Sequence, residues 1–424
     1  MREMKDSGIE WIGQIPKDWE EHPVYVYFEE GKTKNYRMQE QNLLSLSYGR
    51  IIRKDINTNG GLLPASLNTY SVVESGDIII RPTDLQNDKR SLRTGLVKEQ
   101  GIITSAYIDL RPKDNVNSKY YHYLLHSYDI IKVFYNMGNG VRQGLNFSEF
   151  AKLLLLEPTT VEQQQIADYL DTQCSEIDAT AEDIQKEISL LEEYKKSVIT
   201  EAVTKGLNPD AEMKESGIEW IGKIPINWQA VNPRWLFAQR KDKAKKGMEQ
   251  YTASQKYGVI SQKDYMNRIG GSIVTVQKDF DILKMVCKGD FVIHMRSFQG
   301  GLEYSEHTGS ISSAYVMLIP QKNIGECRYF KWLFKSASYI NALQSTSNLI
   351  RDGQAMRYSN FIQIIIPYPP LEEQQQIADF LDSKCSEIDS LIADKKRQLD
   401  ILADYKKSLI YEYVTGKKEV PVNE

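Results

Sequence analysis

The 424-residue sequence has few cysteines and no long apolar segment. Its four cysteines, Cys174, Cys287, Cys327 and Cys385, form no C-x-x-C pair, so we expect free thiols rather than disulfides or a zinc framework. No apolar run reaches the length of about 18 residues that a membrane span needs. The opening residues MREMKDSGIEW also lack the apolar core of a secretion signal, and we therefore expect a cytoplasmic protein.

Catalytic motifs are also missing. The tripeptide GKT at 31–33 resembles the end of a phosphate-binding loop, but Val26 stands where that loop needs its first glycine. The sequence has no glycine-rich dinucleotide or S-adenosylmethionine loop, no methyltransferase motif and no nucleophile elbow. His122 and His126 are one helical turn apart, yet no third metal ligand accompanies them, and we interpret them as a pair on a helix surface. The sequence thus predicts neither a catalytic residue nor a bound metal.

The most informative feature is an internal repeat. MKDSGIEWIGQIPKDW at 4–19 returns as MKESGIEWIGKIPINW at 213–228, with twelve of sixteen positions identical. EQQQIADYLDTQCSEID at 162–178 returns as EQQQIADFLDSKCSEID at 373–389, with fourteen of seventeen identical. The tryptophans of the first motif, Trp11, Trp19, Trp220 and Trp228, are predicted to be packing anchors where a globular domain meets a helical scaffold.

The repeats and the variable stretches between them divide the chain. The predicted segments are a repeat motif at 1–19, a globular domain at 20–157, a helical region at 158–212, a second repeat motif at 213–228, a second globular domain at 229–368 and a C-terminal helical region at 369–424. The globular domains carry strand-like runs, GDIIIRP at 76–82, AYIDLRP at 106–112, GDFVIHMR at 289–296 and AYVMLIP at 314–320, and one helix each, at 119–134 and 327–343. We predict an α+β protein with two α/β-type domains of the same layout.

The helical regions are predicted to contain long helices with one apolar stripe. In the first region, a short helix near 161–171, capped by Thr159 with Glu162, is followed by a break and by a long helix near 176–205. Gly206 and Gly416 stand where the helices should end. A helix of about 27 residues is about 40 Å long and needs a partner, and its own repeat is the nearest candidate; packing of each helix on its own domain is the alternative. The heptad-like apolar positions are Ile177, Ile184, Ile188, Leu191, Val198, Ile388, Ile392, Leu399, Leu402 and Leu409.

Charge is segregated along the chain despite a net charge of −4 and a pI of about 5.9. The helical segment 160–206 has 4 basic and 11 acidic residues, whereas 81–98 has 5 and 2 and 232–268 has 9 and 3. Basic segments among tyrosine, asparagine and glutamine suit contacts with DNA phosphates and base edges, and a solvated loop is the alternative. The candidate DNA-contacting residues are Arg50, Arg53, Lys54, Asn57, Arg81, Arg90, Arg93, Arg142, Gln143, Asn146, Lys256, Lys263, Asn267, Arg268, Arg296, Gln299, Arg351, Gln354 and Arg357.

The repeated motifs resemble those of the specificity subunits of type I restriction–modification systems. The matching segments of the first half are GIEWIGQIPKDW, GNGVRQGLNFSEFAKLLLLEPTTVEQQQIADYLD and LLEEYKKSVITEAVTKG. Those of the second half are GIEWIGKIPINW, SNLIRDGQAMRYSNFIQIIIPYPPLEEQQQIADFLD and LDILADYKKSLIYEYVTGK. The resemblance covers essentially the whole chain, and its most specific element is the duplicated EQQQIAD with the long helix that follows.

The resemblance implies a non-catalytic, DNA-binding subunit of a bacterial or archaeal complex. Each variable domain would be a target recognition domain that reads one half of a bipartite, asymmetric DNA site. The long helices would pair antiparallel as a coiled-coil spacer within a pseudo-twofold repeat. The implied partners are double-stranded DNA, two methyltransferase subunits and two restriction–translocation subunits. S-adenosylmethionine would belong to the methyltransferase subunits, which methylate adenine, and ATP and Mg²⁺ to the restriction subunits, with no cofactor in this chain.

The resemblance also places four loops near DNA, at 81–98, 142–144, 296–301 and 351–353. His294 and Met295 depart from the family pattern just before Arg296, which makes the register of that loop less certain. Helices of about 40 Å agree with recognition domains about 34–36 Å apart, one turn of DNA. Two alternatives remain open: a scaffold that binds proteins through its helices without DNA, and an enzyme with an unfamiliar site.

Overall fold

A computed structural model describes residues 2–56, 67–83, 85, 91–137, 144–273, 282–322, 324–346 and 356–421. The chain forms two compact units, unit 1 with Met1–Ile184 and Arg397–Glu424, and unit 2 with Gln185–Lys396. Each unit therefore joins one repeat motif and one globular domain to the first part of one long helix and the last part of the other. Within the described ranges, no helix is both long enough and apolar enough to cross a membrane.

Unit 1 is built from short strands around one core. Its described strands are β1 (Met4–Asp6), β2 (Gln14–Pro16), β3 (Glu20–Pro23), β4 (Phe28–Glu30), β5 (Leu44–Ser47), β6 (Arg50–Arg53), β7 (Ser71–Val73), β8 (Ile78–Ile80), β9 (Thr94–Leu96), β10 (Gly101–Ile103), β11 (Ile108–Pro112) and β12 (Leu154–Glu157). A four-stranded sheet has the order β4-β11-β8-β9, and the pairs β1–β2, β3–β12, β5–β6 and β7–β10 surround it. The helices are α1 (Val24–Tyr27), α2 (Ser118–Ile130) and α3 (Phe147–Phe150), with 3-10 turns at Tyr36–Met38 and Val133–Asn136.

Unit 2 repeats this plan. Its described strands are β13 (Met213–Ile218), β14 (Gly222–Pro225), β15 (Gln229–Val231), β16 (Phe237–Arg240), β17 (Tyr251–Ser254), β18 (Gly258–Ser261), β19 (Lys284–Val286), β20 (Phe291–Ile293), β21 (Glu303–Tyr304), β22 (Gly309–Ile311), β23 (Val316–Pro320) and β24 (Ile366–Tyr368). The four-stranded sheet has the order β16-β23-β20-β21, and the pairs are β13–β14, β15–β24, β17–β18 and β19–β22. The helices are α5 (Gln262–Ile269), α6 (Ser297–Gly300), α7 (Cys327–Leu333), α8 (Ala337–Ser345) and α9 (Tyr358–Phe361), with a 3-10 turn at Pro233–Trp235.

The strands pair in the same order in both units, which confirms the common layout predicted for the two domains. The four strand-like runs singled out in the sequence are β8, β11, β20 and β23. All ladders between these described strands are antiparallel, so the units are α+β rather than α/β in the strict sense. The single helix predicted at 327–343 is wrong: α7 ends at Leu333, and Ser336 caps a second helix by accepting a hydrogen bond from the Tyr339 backbone N–H at 3.4 Å.

Two long helices run through both units: α4 (Thr160–Lys205), of 46 residues, and α10 (Leu371–Val414), of 44 residues. The predicted break between 171 and 176 is wrong. Cys174 and Ile177 are buried and continue the apolar stripe that begins at Ile166 and Leu170, and no glycine or proline interrupts the segment. Ser175 is exposed and Asp178 is half-buried, and neither ends the helix.

In unit 1 the last part of α10 packs against the first part of α4. The rings of Tyr169 and Tyr413 are 4.7 Å apart, and Lys406 Nζ lies 2.7 Å from Asp178 Oδ1. Because the partner number falls from 413 to 406 as the α4 number rises from 169 to 178, these segments run antiparallel. The hydroxyl of Tyr120 on α2 donates to the carbonyl oxygen of Val414 at 3.2 Å and so ties the globular part to the end of α10.

In unit 2 the same contacts recur with the helices exchanged. Lys195 Nζ on α4 lies 2.6 Å from Asp389 Oδ2 on α10, and the Tyr329 hydroxyl donates to the carbonyl oxygen of Val203 at 3.1 Å. Lys395, which lies between the predicted seam positions Ile392 and Leu399, forms an ion pair of 2.5 Å with Glu187. Of the predicted seam, Ile177, Ile184, Ile188, Ile388, Ile392 and Leu409 are buried, and Leu191, Val198, Leu399 and Leu402 are half-buried.

The first repeat motif is fastened to α4 by Trp19. The ring is buried, and its Nε1 donates to Glu162 Oε2 at 3.0 Å. The backbone N–H of Glu162 donates to Thr159 Oγ1 at 3.3 Å, which confirms the predicted cap. The Glu162 carboxylate does not close a capping box but pairs with Arg2 and Trp19. Trp19 is therefore a packing anchor, as predicted. Trp11, for which the same role was predicted, is 38% exposed.

Gly206 and Gly416 end the two long helices, as predicted, with φ of 80° and 67°. Both glycines also leave room for close neighbours. A Cβ added at Gly206 would lie 2.8 Å from Glu373 Oε1 in unit 2, and one at Gly416 would lie 2.4 Å from Pro16 Cδ and 3.1 Å from the Trp19 ring in unit 1. In unit 2, Trp220 packs edge to face on Tyr339, with ring centroids 5.9 Å apart, and its Nε1 donates to the carbonyl oxygen of Ile365 at 3.0 Å.

A buried aspartate follows the glycine before β8 and before β20. In unit 1, Asp77 accepts a hydrogen bond from Arg111 Nη2 of β11 at 3.1 Å. In unit 2, the two oxygens of Asp290 accept from Nε and Nη2 of Arg240, at the end of β16, at 2.7 and 2.9 Å. The two units thus pair equivalent buried aspartates with arginines from strands that are not equivalent.

Candidate nucleic-acid interface

Unit 2 gathers several of the predicted DNA-contacting residues around the hairpin of β17 and β18. Lys256 lies in its turn, and α5, which follows β18, carries Lys263, Asn267 and Arg268; all four are exposed. Lys256 Nζ and Arg268 Cζ lie 5.1 and 5.0 Å from the centroid of the Tyr257 ring. Cation–π attraction of this kind holds both charges beside the turn. The result is a compact, positively charged surface with an aromatic centre.

The loop after β20 lies against the same hairpin. Gln255 Nε2 donates to the carbonyl oxygen of Arg296 at 2.9 Å, and a Cβ added at Gly300 would lie 2.7 Å from the Gln255 side chain. Arg296 and Gln299 are exposed on this loop, which precedes and includes α6. His294 is buried, and its Nδ1 accepts a hydrogen bond from the Arg296 backbone N–H at 3.3 Å. This departure from the family pattern therefore supports the loop from its buried side.

In unit 1 the arginines of β6 are paired with acidic side chains. Arg50 Nη2 lies 2.8 Å from Asp178 Oδ2 on α4, and Arg53 forms a bidentate pair with Glu99. Both arginines stay mostly exposed, as does Lys54. Exposed pairs of this kind contribute little stability, so exchanging the carboxylate for a DNA phosphate costs little.

Tyr48 is a surface residue that the candidate set omits. It is 84% exposed at the turn between β5 and β6. Tyr48 and Gly49 have φ of 46° and 78°, the conformation of a two-residue type I′ hairpin turn. The sequence signal for it is the tyrosine–glycine pair between two apolar runs, although asparagine or aspartate is the usual residue before the glycine.

Arg93 is buried, with an exposure of 0%, and the prediction that it contacts DNA is wrong. Its Nε donates to the Tyr135 hydroxyl at 3.0 Å, and its Nη1 donates to the carbonyl oxygen of Thr83 at 2.6 Å. Its backbone carbonyl accepts from the N–H of Arg81, which is half-buried, at 2.8 Å. The guanidinium is occupied inside unit 1, where it holds the segment after β8.

Asn146 and Arg357, 211 positions apart, occupy the N-cap positions of α3 and α9. Asn146 Oδ1 accepts from the Glu149 backbone N–H at 3.0 Å, and the Arg357 N–H donates to Asn360 Oδ1 at 3.0 Å. Both residues are exposed, and their contact with DNA stays a prediction. Six further candidates lie outside the described residues: Asn57, Arg90, Arg142, Gln143, Arg351 and Gln354.

His122 and His126 lie on α2 with ring centroids 5.9 Å apart. Desolvation by the surrounding core lowers the pKa of His122 to about 3 and that of His126 to about 4. His126 Nδ1 is 3.2 Å from Thr94 Oγ1. Both side chains are half-buried, so the pair predicted on a helix surface lies at the edge of the core.

One group in the described part of the chain brings metal-ligating atoms close together: Glu20, His22 and Glu157 on the ribbon of β3 and β12. His22 Nε2 lies 3.1 Å from Glu20 Oε2 and 3.3 Å from Glu157 Oε2. The equivalent ribbon of β15 and β24 contains no histidine or acidic residue. Exposed acidic groups often lie close together without an ion, and we assign no metal to the group.

Two domains of one strand order, with exposed basic side chains and shared long helices, define a two-module DNA-binding class of protein. The chain belongs to the family described as "Type I restriction modification DNA specificity domain", whose profile matches residues 73–190 and 225–400. It is thus a specificity subunit of the type I restriction–modification class, and such subunits are non-catalytic. The resemblance carried by the repeated motifs is confirmed.

Relatives of similar length support this assignment. The chain is 26% identical to the "Putative type I restriction enzyme MjaX specificity subunit" of Methanocaldococcus jannaschii, over 96% of both chains. It is 24% identical to the MjaVIII specificity subunit of the same organism, over 96% of this chain and 94% of that one.

Solved structures share the fold. A chain from a structure on "complex assembly" and "conformational transition of the type I R-M system" aligns with a TM-score of 0.68 at 13% identity, over 95% of this chain and 99% of that one. The HsdS subunit of Thermoanaerobacter tengcongensis aligns with a TM-score of 0.51 at 14% identity, over 97% and 100%.

Proposed function

We propose that the chain reads a bipartite, asymmetric DNA target, one half with the globular part of each unit, and directs adenine methylation or restriction to it. In this proposal two methyltransferase subunits dock on the chain, and two restriction–translocation subunits join the complex. S-adenosylmethionine is bound by the methyltransferase subunits, and ATP and Mg²⁺ by the restriction subunits.

The observation that carries the proposal is that one strand order occurs twice with unlike exposed residues. The hairpin of unit 2 presents Lys256, Tyr257 and the helix α5, whereas that of unit 1 presents Tyr48 and arginines paired with acids. Direct base readout depends on the identity of exposed side chains, so two unlike surfaces on one framework should read unlike half-sites. The basic surface also suits contacts with phosphates, which make affinity depend on salt.

We further propose that α4 and α10 form an antiparallel coiled coil that sets the spacing of the half-sites. The ion pairs Asp178–Lys406 and Lys195–Asp389 support this, because their members are related by the repeat offset of 211. The buried heptad-like positions in each unit support it as well. At 46 and 44 residues the helices are about 69 and 66 Å long, longer than the estimate of about 40 Å made from the sequence.

The helices also offer a surface for the methyltransferase subunits. Leu190 and Tyr194 on α4 are 63% and 50% exposed, one helical turn apart. Ile401 and Tyr405, each 211 positions later, are 61% and 51% exposed on α10. Large apolar side chains exposed in pairs are typical of interaction sites. We call them the helix-face pairs; two equivalent pairs suit two copies of one partner.

The proposal is tested by sequencing methylated adenines genome-wide after co-expression of the chain with its methyltransferase. We expect one interrupted motif with two unlike halves. A motif without a second half would contradict two-part reading. Absence of any methylated motif from an assembled complex would favour the alternative, a protein-binding scaffold that does not read DNA.

Module exchange separates the roles of the two units. Replacing 20–157 with the equivalent domain of another family member should change one half-site and leave the other intact. Removing four residues within 181–200 should disrupt assembly or alter the spacing between half-sites, because four residues turn the apolar stripe by about 40°. A change in both half-sites on exchange, or unchanged spacing and activity on deletion, would contradict the proposal.

A further inference from the structure

The helix α5 is an exposed element without a buried residue. It begins after Ser261, whose Oγ accepts a hydrogen bond from the Asp264 backbone N–H at 3.1 Å, and it ends at Gly270, with φ of 62°. None of its eight residues is buried. Most helices of globular proteins owe their stability to a buried apolar face, so a capped but exposed helix has another use for its surface.

One side of α5 rests on the hairpin of β17 and β18. Arg268 lies over the Tyr257 ring, which also faces Lys256 in the hairpin turn. The rings of Tyr257 and Tyr265 meet edge to face, with centroids 6.2 Å apart and an interplanar angle of 75°. These contacts use positions 265 and 268 and fix the direction in which the helix points.

Other positions of α5 face solvent. Lys263 and Asn267 are exposed and four residues apart, which places them in one row along the helix. Asp264 is the only acidic residue of α5, and its Oδ2 accepts from Ser261 Oγ at 2.9 Å. The exposed row thus presents an ammonium group and an amide. Asparagine forms paired hydrogen bonds with N6 and N7 of adenine, and lysine contacts phosphate or guanine, in a groove that admits a helix.

We propose that α5 is the base-reading helix of unit 2: it enters the DNA major groove, where Asn267 reads an adenine and Lys263 contacts a neighbouring guanine or phosphate. This inference rests on the proposed DNA-reading function and adds the element and side chains that read one half-site. Tyr257, Lys256 and Arg268 act as positioning residues, because they set the angle of α5 on the hairpin.

The test uses the full chain co-expressed with its methyltransferase. In Asn267→Ala, one adenine-containing position of a single half-site should become degenerate, with discrimination reduced about tenfold to a hundredfold, and the other half-site should stay unchanged. Lys263→Ala should relax the preference for guanine at a neighbouring position. If Lys263 contacts phosphate instead, the substitution should lower the slope of log affinity against log salt by about one. Lys322→Ala, an exposed lysine in the loop after β23, is the matched control and should leave the motif unchanged.

The outcomes separate this inference from the proposed function. If the wild-type complex yields no two-part motif, the proposed function fails first. If the wild-type motif is present and Asn267→Ala together with Lys263→Ala leaves both halves intact, the assignment of α5 is overturned. If the variant complex assembles but no longer methylates, duplexes carrying each base in the second half-site are compared for binding. Loss of the wild-type preference supports α5, and an intact preference overturns it.

Discussion

Asp109 in β11 lies in an environment that predicts a strong effect of pH on stability. Its side chain is buried, and neither carboxylate oxygen accepts a hydrogen bond from the described residues. The nearest cationic atom, Arg111 Nη2, is 4.0 Å from Oδ2. A Cβ added at Gly31 would lie 1.8 Å from the same oxygen, which shows how closely the backbone approaches. Burial, and then the charges of Asp77 and Glu74, raise the pKa of Asp109 to about 7 from the ordinary 3.8, although Arg111 opposes the shift.

The sign of the effect follows from the raised pKa. The folded unit holds a proton that the unfolded chain has already released, so stability falls as the pH rises from about 4 to about 7. A difference of about 3 pKa units corresponds to about 4 kcal/mol at high pH, taken as an upper bound. Between pH 5 and pH 8 the loss is about 2.5 kcal/mol, or roughly 5–10 °C in the unfolding midpoint of a unit of this size.

The substitution Asp109→Asn removes the titrating group and nearly keeps its shape. We expect the variant to lose the fall in unfolding midpoint of unit 1 between pH 5 and pH 8 that the wild type shows in thermal unfolding. Asp114→Asn, at an exposed acid just after β11, is the matched control and should behave as the wild type does. If Asp109→Asn retains the wild-type fall, the buried carboxyl is not the titrating group, and the reasoning is refuted.

Three further predictions concern assembly and anchoring. Replacing Leu190 and Tyr194 with serine should remove one methyltransferase copy from the complex in native mass spectrometry, as should the same change in the other helix-face pair; two retained copies would contradict the docking surface. Arg93→Ala should destabilise unit 1 by about 2–4 kcal/mol in thermal or chemical unfolding, because it strands buried hydrogen-bond partners; weaker DNA binding at unchanged stability would instead indicate a direct contact. Glu162→Gln should cost about 1–3 kcal/mol, and more than Glu373→Gln, since Glu162 binds Arg2 and Trp19 whereas Glu373 accepts from Asn227 at 3.1 Å; equal losses in unfolding would argue against the anchor.

The repeated elements of the fold could be predicted from the sequence because they rest on local patterns. The strand-like runs became β8, β11, β20 and β23, and the glycines at 206 and 416 end the long helices. The predicted break near 175 failed for a tertiary reason. A serine followed three residues later by an acid resembles a cap, but the buried neighbours Cys174 and Ile177 keep the stripe in phase, and burial outweighs a cap signal.

The candidate DNA-contacting residues were harder to predict, because the charge of a residue does not reveal whether its side chain is buried or exposed. Arg93 and Arg268 look alike in sequence, yet one is enclosed by carbonyl oxygens and a tyrosine hydroxyl while the other lies exposed over an aromatic ring. Tyr48 was not predicted because its exposure depends on a hairpin turn, which exists only where β5 and β6 pair. Which basic residues face outward depends on packing between segments far apart in the chain, and a single sequence does not encode that in a readable pattern.

The buried aspartates explain why whole domains, rather than single strands, should be exchangeable. Asp77 is neutralised by Arg111 from β11, and Asp290 by Arg240 from β16. In the register of the four-stranded sheets, the strand β23 has Ile319 where β11 has Arg111. Grafting the β23 residues VMLIP onto 108–112 therefore leaves Asp77 buried without its cation and supplies no arginine from the neighbouring strand.

Measured at pH 5, where Asp109 is protonated and its replacement by methionine relieves no buried charge, such a graft should destabilise unit 1 by about 3–5 kcal/mol, the usual cost of breaking a buried pair. The matched control adds the missing cation by also placing arginine at position 31, the counterpart of Arg240. In the grafted chain this arginine faces methionine at position 109, as Arg240 faces Met317 in unit 2. Recovery of the unfolding midpoint in this combined variant would show that each unit stabilises its buried aspartate with its own arginine. The aspartate and that arginine would then have to be exchanged together. If the simple graft is as stable as the wild type, the buried aspartates place no such constraint on the framework, and recognition surfaces are free to diverge strand by strand.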